Sequence, residues 1–146
     1  MIRAVLDTNI WVSSLLNPFG LPAQLRKSFE EGAFRTIISE PMLVELADVL
    51  SRPRIKDKYG ITEREIQELL ILIEERSEHA ILSGDIHICR DKDDNFVIET
   101  AIKGGAEYIV TRDDDMKFDK TVSVFLSQFG ISVSSVNQFL STIHRS

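Results

Sequence analysis

Short apolar runs alternate with amphipathic stretches along this chain, and that alternation predicts strands interleaved with helices. Ile2, Ala4, Val5 and Leu6 form a short buried strand ending at Asp7-Thr8-Asn9, a turn-prone polar triplet. Residues 17–22 then read as a loop and 23–31 as a helix stopped by Gly32. A second strand follows over 34–38. Ser39 caps the next helix with Pro41 in its first turn, and Met42, Leu43, Leu46, Val49 and Leu50 carry its apolar side toward Arg52-Pro53. Thr62 opens a longer helix to about Arg76, because Glu65 three residues on completes a capping box. Farther along, the pattern predicts a short strand over 79–82, a helix over 96–103 ended by Gly104-Gly105, and a buried strand over 108–111. Ile131, Val133 and Val136 suggest an edge strand before a terminal helix over 139–143.

Strands alternating with helices predict an α/β domain whose parallel sheet is covered on both faces. In such sheets ligands gather outside the carboxyl ends of the strands, and Asp7 and Asp113 both fall there. A length of 146 residues suits a single domain over 1–146 with a real core. The longest apolar run, Leu69 to Ile73, is far too short to span a bilayer, and Arg3 and Asp7 interrupt the opening hydrophobic stretch before it could direct export. A cytoplasmic protein is expected. A lone cysteine, Cys89, and histidines without zinc-like spacing leave no basis for a disulfide or structural zinc. The net charge of −6 argues against nucleic-acid binding by bulk electrostatics alone, although a divalent ion held by acids would reverse the field locally.

Four acids sit where a predicted element meets the core: Asp7, Glu45, Asp94 and Asp113. A carboxylate brought into low dielectric is costly unless something positive meets it, and hard, oxygen-ligated ions answer that need. At about 100° per residue, Glu45 lies beside Met42 and Val49 at the border of the apolar stripe, while Glu40 and Asp48 point away. Glu45 reads either as a ligand or as a solvated flank residue. Asp94 shares its face with Val97, Ile98 and Ala101, so it is either a buried acid in a first helical turn or a cap. Asp91 and Asp93 read as turn or cap acids, with Asp91 an additional ligand candidate. Asp113 adjoins its strand most closely in the run 113–115, and Asp115 is second.

These residues bring the chain close to a known family. The segments Val5-Leu6-Asp7-Thr8-Asn9-Ile10, Ser39-Glu40-Pro41 leading to Glu45-Leu46, Arg90-Asp91-Lys92-Asp93-Asp94-Asn95 and Ala106 through Asp113 together resemble PIN-domain ribonucleases, in particular the VapC-like toxins of toxin–antitoxin pairs. The resemblance spans nearly the whole chain and implies a three-layer α/β/α fold with a central parallel sheet of four to five strands. Asp7, Glu45, Asp94 and Asp113 fall on the family's acidic positions. The same resemblance implies hydrolysis of RNA phosphodiester bonds with Mg2+ or Mn2+, a small antitoxin partner and a homodimer. Lys92 departs from the proline common in this branch.

Around that acidic set, Thr8, Asn9 and Thr111 are candidates for orienting the ligands. Arg52, Arg54, Lys56 and Arg112 are candidates for meeting RNA phosphates, against the plainer reading of a solvated charged loop. Phe19 could stack on a base, whereas Trp11 at an apolar position reads as core. Two other classes compete. An aspartyl-phosphate phosphotransfer or receiver domain would use Asp7 as acceptor, but the second acid two positions later is missing. A non-catalytic PIN-like interaction module is disfavoured by retention of all four acids.

Overall fold

The computed structural model describes residues 1–112 and 119–145. Strand β1 (Arg3–Leu6) places Ala4, Val5 and Leu6 among the most buried residues of the protein. Consecutive burial of this kind marks a strand covered on both faces, as in the middle of a parallel sheet. It is flanked by β2 (Arg35–Ser39) on one side and β4 (Tyr108–Thr111) on the other. Beyond them lie β3 (Glu78–Ala80) and β5 (Ser132–Ser135), giving the order β3-β2-β1-β4-β5 with every pairing parallel. The central register sets Val5 opposite Ile109 and Leu6 opposite Val110.

Helices α1 (Thr8–Leu16) and α2 (Leu21–Glu30) connect β1 to β2. Between β2 and β3 run α3 (Glu40–Ser51), the short α4 (Pro53–Lys56) and α5 (Glu63–Arg76). Helix α6 (Lys92–Gly104) carries the chain back across the sheet to β4, α7 (Lys120–Ser127) precedes β5, and α8 (Val136–Arg145) follows it. The chain thus builds outward from β1 in one direction and then returns to build in the other. The reversal falls between β1 and β4, and a crevice at their carboxyl ends is the expected ligand position. Trp11, Phe29, Phe34, Phe139 and Tyr108 form a chain of ring contacts with centroids 5.1–6.1 Å apart. It joins α1, α2 and α8 to the β4 side of the sheet, and Trp11 is core.

Several local expectations change. Asp7-Thr8-Asn9 is the entry to α1 rather than a turn, and this helix has no single apolar stripe because Thr8, Ile10, Trp11, Val12 and Ser14 are all buried. Without amphipathic contrast the helical period was invisible. Helix α6 begins four residues before the expected position, with a polar first turn capped by Asp91. Asp119 caps α7, accepting from the Val122 amide at 3.0 Å, in a segment where the sequence pattern gave no helix. Val136 belongs to α8 and not to the edge strand. Ser39 occupies the N-cap position of α3 without a capping bond, since its buried hydroxyl pairs with Thr100 of α6 at 2.8 Å. The capping box of Thr62 and Glu65 forms as read.

Gly104 ends α6 against Ile37 of β2, where an added Cβ would clash with the Ile37 side chain. Gly104→Ala should lower the unfolding free energy by about 1–3 kcal/mol through overpacking, measured as a reduced urea midpoint at unchanged slope. An unchanged midpoint would show that Ile37 yields freely.

Candidate functional site

Asp7 is 3% exposed, directly past β1. Its amide donates to the Val110 carbonyl at 3.0 Å and its carbonyl accepts from Ile10 at 2.9 Å, so the residue is held by the sheet on one side and by α1 on the other. The carboxylate does not cap α1, yet it lies at the positive end of that helix, where negative charge is favoured. Thr8 and Thr111 are buried beside the ends of β1 and β4, and the Thr8 hydroxyl has no hydrogen-bond partner among the described residues. Asn9 is exposed.

Glu45 is half-buried on α3, between buried Met42 and Leu46, whereas Glu40 and Asp48 are exposed. The helical phase read from the sequence therefore holds. Glu45 opens into a cleft of about 410 Å³ whose lining includes Asn9, Arg52, Arg54, Asp93 and Arg112. Asp93 is a residue the sequence reading set aside as a turn acid. With α6 starting at Lys92 it sits one helical step from Asp94 and turns outward toward Glu45's cleft, a placement that the earlier helix start would have revealed.

Asp94 is 8% exposed in the first turn of α6, as its phase predicts. It borders a separate cleft of about 350 Å³ with Arg90, Asp91 and Asp119. Asp91 is the cap of α6, accepting from the Asp93 amide at 2.9 Å. Asp113 and Asp115 lie outside the described residues. Two further α6 side chains, missed in the sequence, hold the segment leading into this helix. Asn95 Oδ1 accepts from the amides of Ile88 and Cys89 at 3.0 and 2.8 Å. Glu99, 1% exposed, accepts from the amides of Ser83 and Gly84 at 2.6 and 3.0 Å through its two oxygens. Neither has a motif signature; only their positions on the inward face of a longer α6 would have singled them out.

Among the described residues no three His, Cys, Asp or Glu side chains group closely enough to hold a metal ion. Magnesium-type ions keep several waters and need only one or two protein carboxylates. Buried Asp7, buried Asp94 and half-buried Glu45 supply all-oxygen donors of that kind, and the unmatched Thr8 hydroxyl beside Asp7 suits a hydrated ligand. The residues fit such an ion.

The basic candidates divide. Arg54 and Arg112 line the Glu45 cleft. Arg52 lines it as well and pairs with Asp48 at 2.8 Å. Lys56 lies outside that lining and pairs with Glu63 at 2.9 Å; the hydrogen bond from Lys56, then that from Gln67, then the Lys56 charge hold the Glu63 carboxyl below its ordinary range. Residues 53–56 form α4 rather than a solvated loop. Phe19 is 91% exposed but lies on the turn before α2, outside the linings of these clefts.

Glu99→Gln replaces an acceptor with a donor facing a main-chain amide. It should cost about 1–3 kcal/mol of stability and speed amide exchange at Ser83 and Gly84. Unchanged exchange protection there would mean that the carboxylate does not hold this segment.

The family model for the PIN domain matches residues 3–115. An uncharacterized protein of Methanocaldococcus jannaschii is 30% identical over 115 residues, covering 79% of this chain and 73% of its own length. Among solved structures, a chain of FitAB bound to an IR36 DNA fragment aligns with a TM-score of 0.55 at 20% identity, over 91% of this chain and 94% of that one. A chain of VapBC2 from Rickettsia felis, bound to a DNA fragment from their promoter, gives 0.54 at 17% identity, over 92% and 98%. These two share the fold of this chain, and the family match covers the segment from β1 past β4. The chain belongs to the PIN-domain family.

Proposed function

We propose that this protein is a metal-dependent ribonuclease that hydrolyses RNA phosphodiester bonds, and that it is the toxin of a toxin–antitoxin pair. The observation that carries this reading is the burial of Asp7 at the β1/β4 reversal of a PIN-domain sheet; Glu45 on the helix that follows β2, and buried Asp94 in the first turn of α6, add support. Asp7, Glu45 and Asp94 are the proposed ligands for Mg2+ or Mn2+, and Asp113 is proposed as the fourth acid. A bound divalent ion supplies a water of lowered pKa and offsets charge on the phosphoryl oxygens.

The protein's own groups account for the remainder. Glu45, open to the cleft, accepts the proton of the attacking water, and Asp93 adds a second carboxylate on the same wall. The fixed main chain of Asp7 keeps its carboxylate in place without reorganisation. The Thr8 hydroxyl, which bonds no described group, and Thr111 are assigned to the water shell around the acids rather than to the acids themselves. Arg54 and Arg112 meet the substrate's phosphates, offsetting the carboxylates of Glu45 and Asp93 in the same cleft.

An antitoxin partner is supported by the neighbours' assemblies, VapBC2 and FitAB, and by a groove of about 750 Å³ beside the cleft. There Val44 is 61% and Ile81 90% exposed, a hydrophobic surface suited to a protein partner. A homodimer is proposed as well. No described helix is long and apolar enough to cross a membrane.

Single-stranded RNA should be cut by wild type only when Mg2+ or Mn2+ is present, and Asp7→Asn should reduce the rate at least about a hundredfold. Equal rates in the two samples would mean a contaminating nuclease or a wrong site, and a trapped aspartyl-phosphate would replace this reading with phosphotransfer. Sedimentation at high concentration should give twice the chain mass; a monomer would contradict the dimer.

A further inference from the structure

A second cleft, of about 400 Å³, adjoins the one that holds Glu45, and the two share Ser13, Leu16 and Arg112. Its chemistry differs from its neighbour's. No described carboxylate lines it; instead it presents the ring of Tyr59, the amide of Asn17 and the apolar side chain of Val136, with Arg112 at the junction. A half-apolar cleft without a described carboxylate, with an aromatic wall and an amide, fits a planar heterocycle, and the shared arginine places a cation where that heterocycle's phosphate would enter the acid-bearing cleft.

Each polar element is held in place. Tyr59, 47% exposed, follows α4 in a tight turn: its amide donates to the Ile55 carbonyl, Gly60 takes a φ of +63°, and the amide of buried Ile61 returns to Lys56. Lys58 sets its ammonium over the Tyr59 ring, 5.4 Å from the centroid, so one face of the ring holds a cation and stacking uses the other. Asn17 ends α1, and its side-chain oxygen accepts from the Phe19 amide at 3.1 Å, which leaves its NH2 group to donate. Gly20 allows this packing, since a Cβ there would come within 2.9 Å of the Asn17 amide nitrogen.

We infer that this cleft is a nucleobase subsite, taking the base of a nucleotide next to the scissile phosphate of single-stranded RNA by stacking on Tyr59, with Asn17 donating to an acceptor on the base edge. The inference rests on the ribonuclease reading and adds to it a requirement for an unpaired base at one defined position. Stacking on an aromatic tolerates every base, and the single amide donor favours bases that present a carbonyl or ring-nitrogen acceptor.

The test uses the full chain and a single-stranded RNA oligonucleotide cut at one site, together with variants of it carrying one abasic nucleotide at a time. For wild type, one abasic position adjoining the cut should raise KM roughly five- to 150-fold with little change in kcat. Tyr59→Phe, which keeps the ring, should retain the sensitivity at that position. Tyr59→Ala, its fold checked by thermal melting, should raise KM for the intact RNA and lose the sensitivity at that position. Equal KM for intact and abasic substrates with wild type, or sensitivity that persists in Tyr59→Ala, overturns the subsite. A binding arm separates this from failure of the ribonuclease reading. With Asp7→Asn protein, an oligonucleotide carrying 2-aminopurine should be quenched on binding, and the quench should disappear in the Asp7→Asn, Tyr59→Ala double variant. If wild type cuts no RNA, the parent reading fails; if it cuts but the quench survives removal of the ring, only the subsite fails.

Discussion

The hydrogen bond from the Asp7 amide to the Val110 carbonyl is the contact on which the candidate site depends. It continues the β1–β4 ladder one residue past the end of β1, so the acid is fixed by the sheet before its side chain makes any contact. The strand order makes this the point at which the chain's two directions of growth part. Both clefts that receive Arg112 open beside the strand ends so defined, and α1, starting immediately after Asp7, forms a wall of each.

The second organising device is α6. It returns the chain across the sheet and, through Asn95 and Glu99, holds four main-chain amides of the segment that precedes it. The buried carboxylate of Glu99 has a structural task, unlike that of Asp94 five residues earlier on the same helix. Burial alone therefore does not identify a ligand: the oxygens of Glu99 accept from amides of its own chain, and the cleft that Asp94 borders is what makes that residue a candidate.

Much of this was legible in the sequence. Continuous apolar runs marked β1, β2 and β4, the Thr62 capping box marked α5, and helical phase separated Glu45 from Glu40 and Asp48 and put Asp94 on a buried face. The failures share a cause. Helix α1 is buried on too many sides to show a stripe, and the first turn of α6 is wholly polar, so both starts were missed and Asp93 with them. Ser39 was read by its local preference for capping, but a tertiary partner, Thr100, took its hydroxyl. Tyr59 carried no signal, because its position comes from a turn whose neighbour across the cleft, Asn17, is distant in the chain.

The pairing of Asp7 with Val110 also sets an order of events in the making of the protein. Its two partners are 103 residues apart in sequence (110 − 7), and contacts so far apart form slowly because a long loop must close before they are gained. On the ribosome, where N-terminal segments emerge first, β1 must wait unpaired on its β4 side until Tyr108–Thr111 have been made and have emerged. A nascent chain carrying Asp7, Glu45 and even Asp94 thus still lacks the strand that fixes the first of them. The topology therefore delays assembly of the candidate site until β4 has joined the sheet, however early its first acid is made.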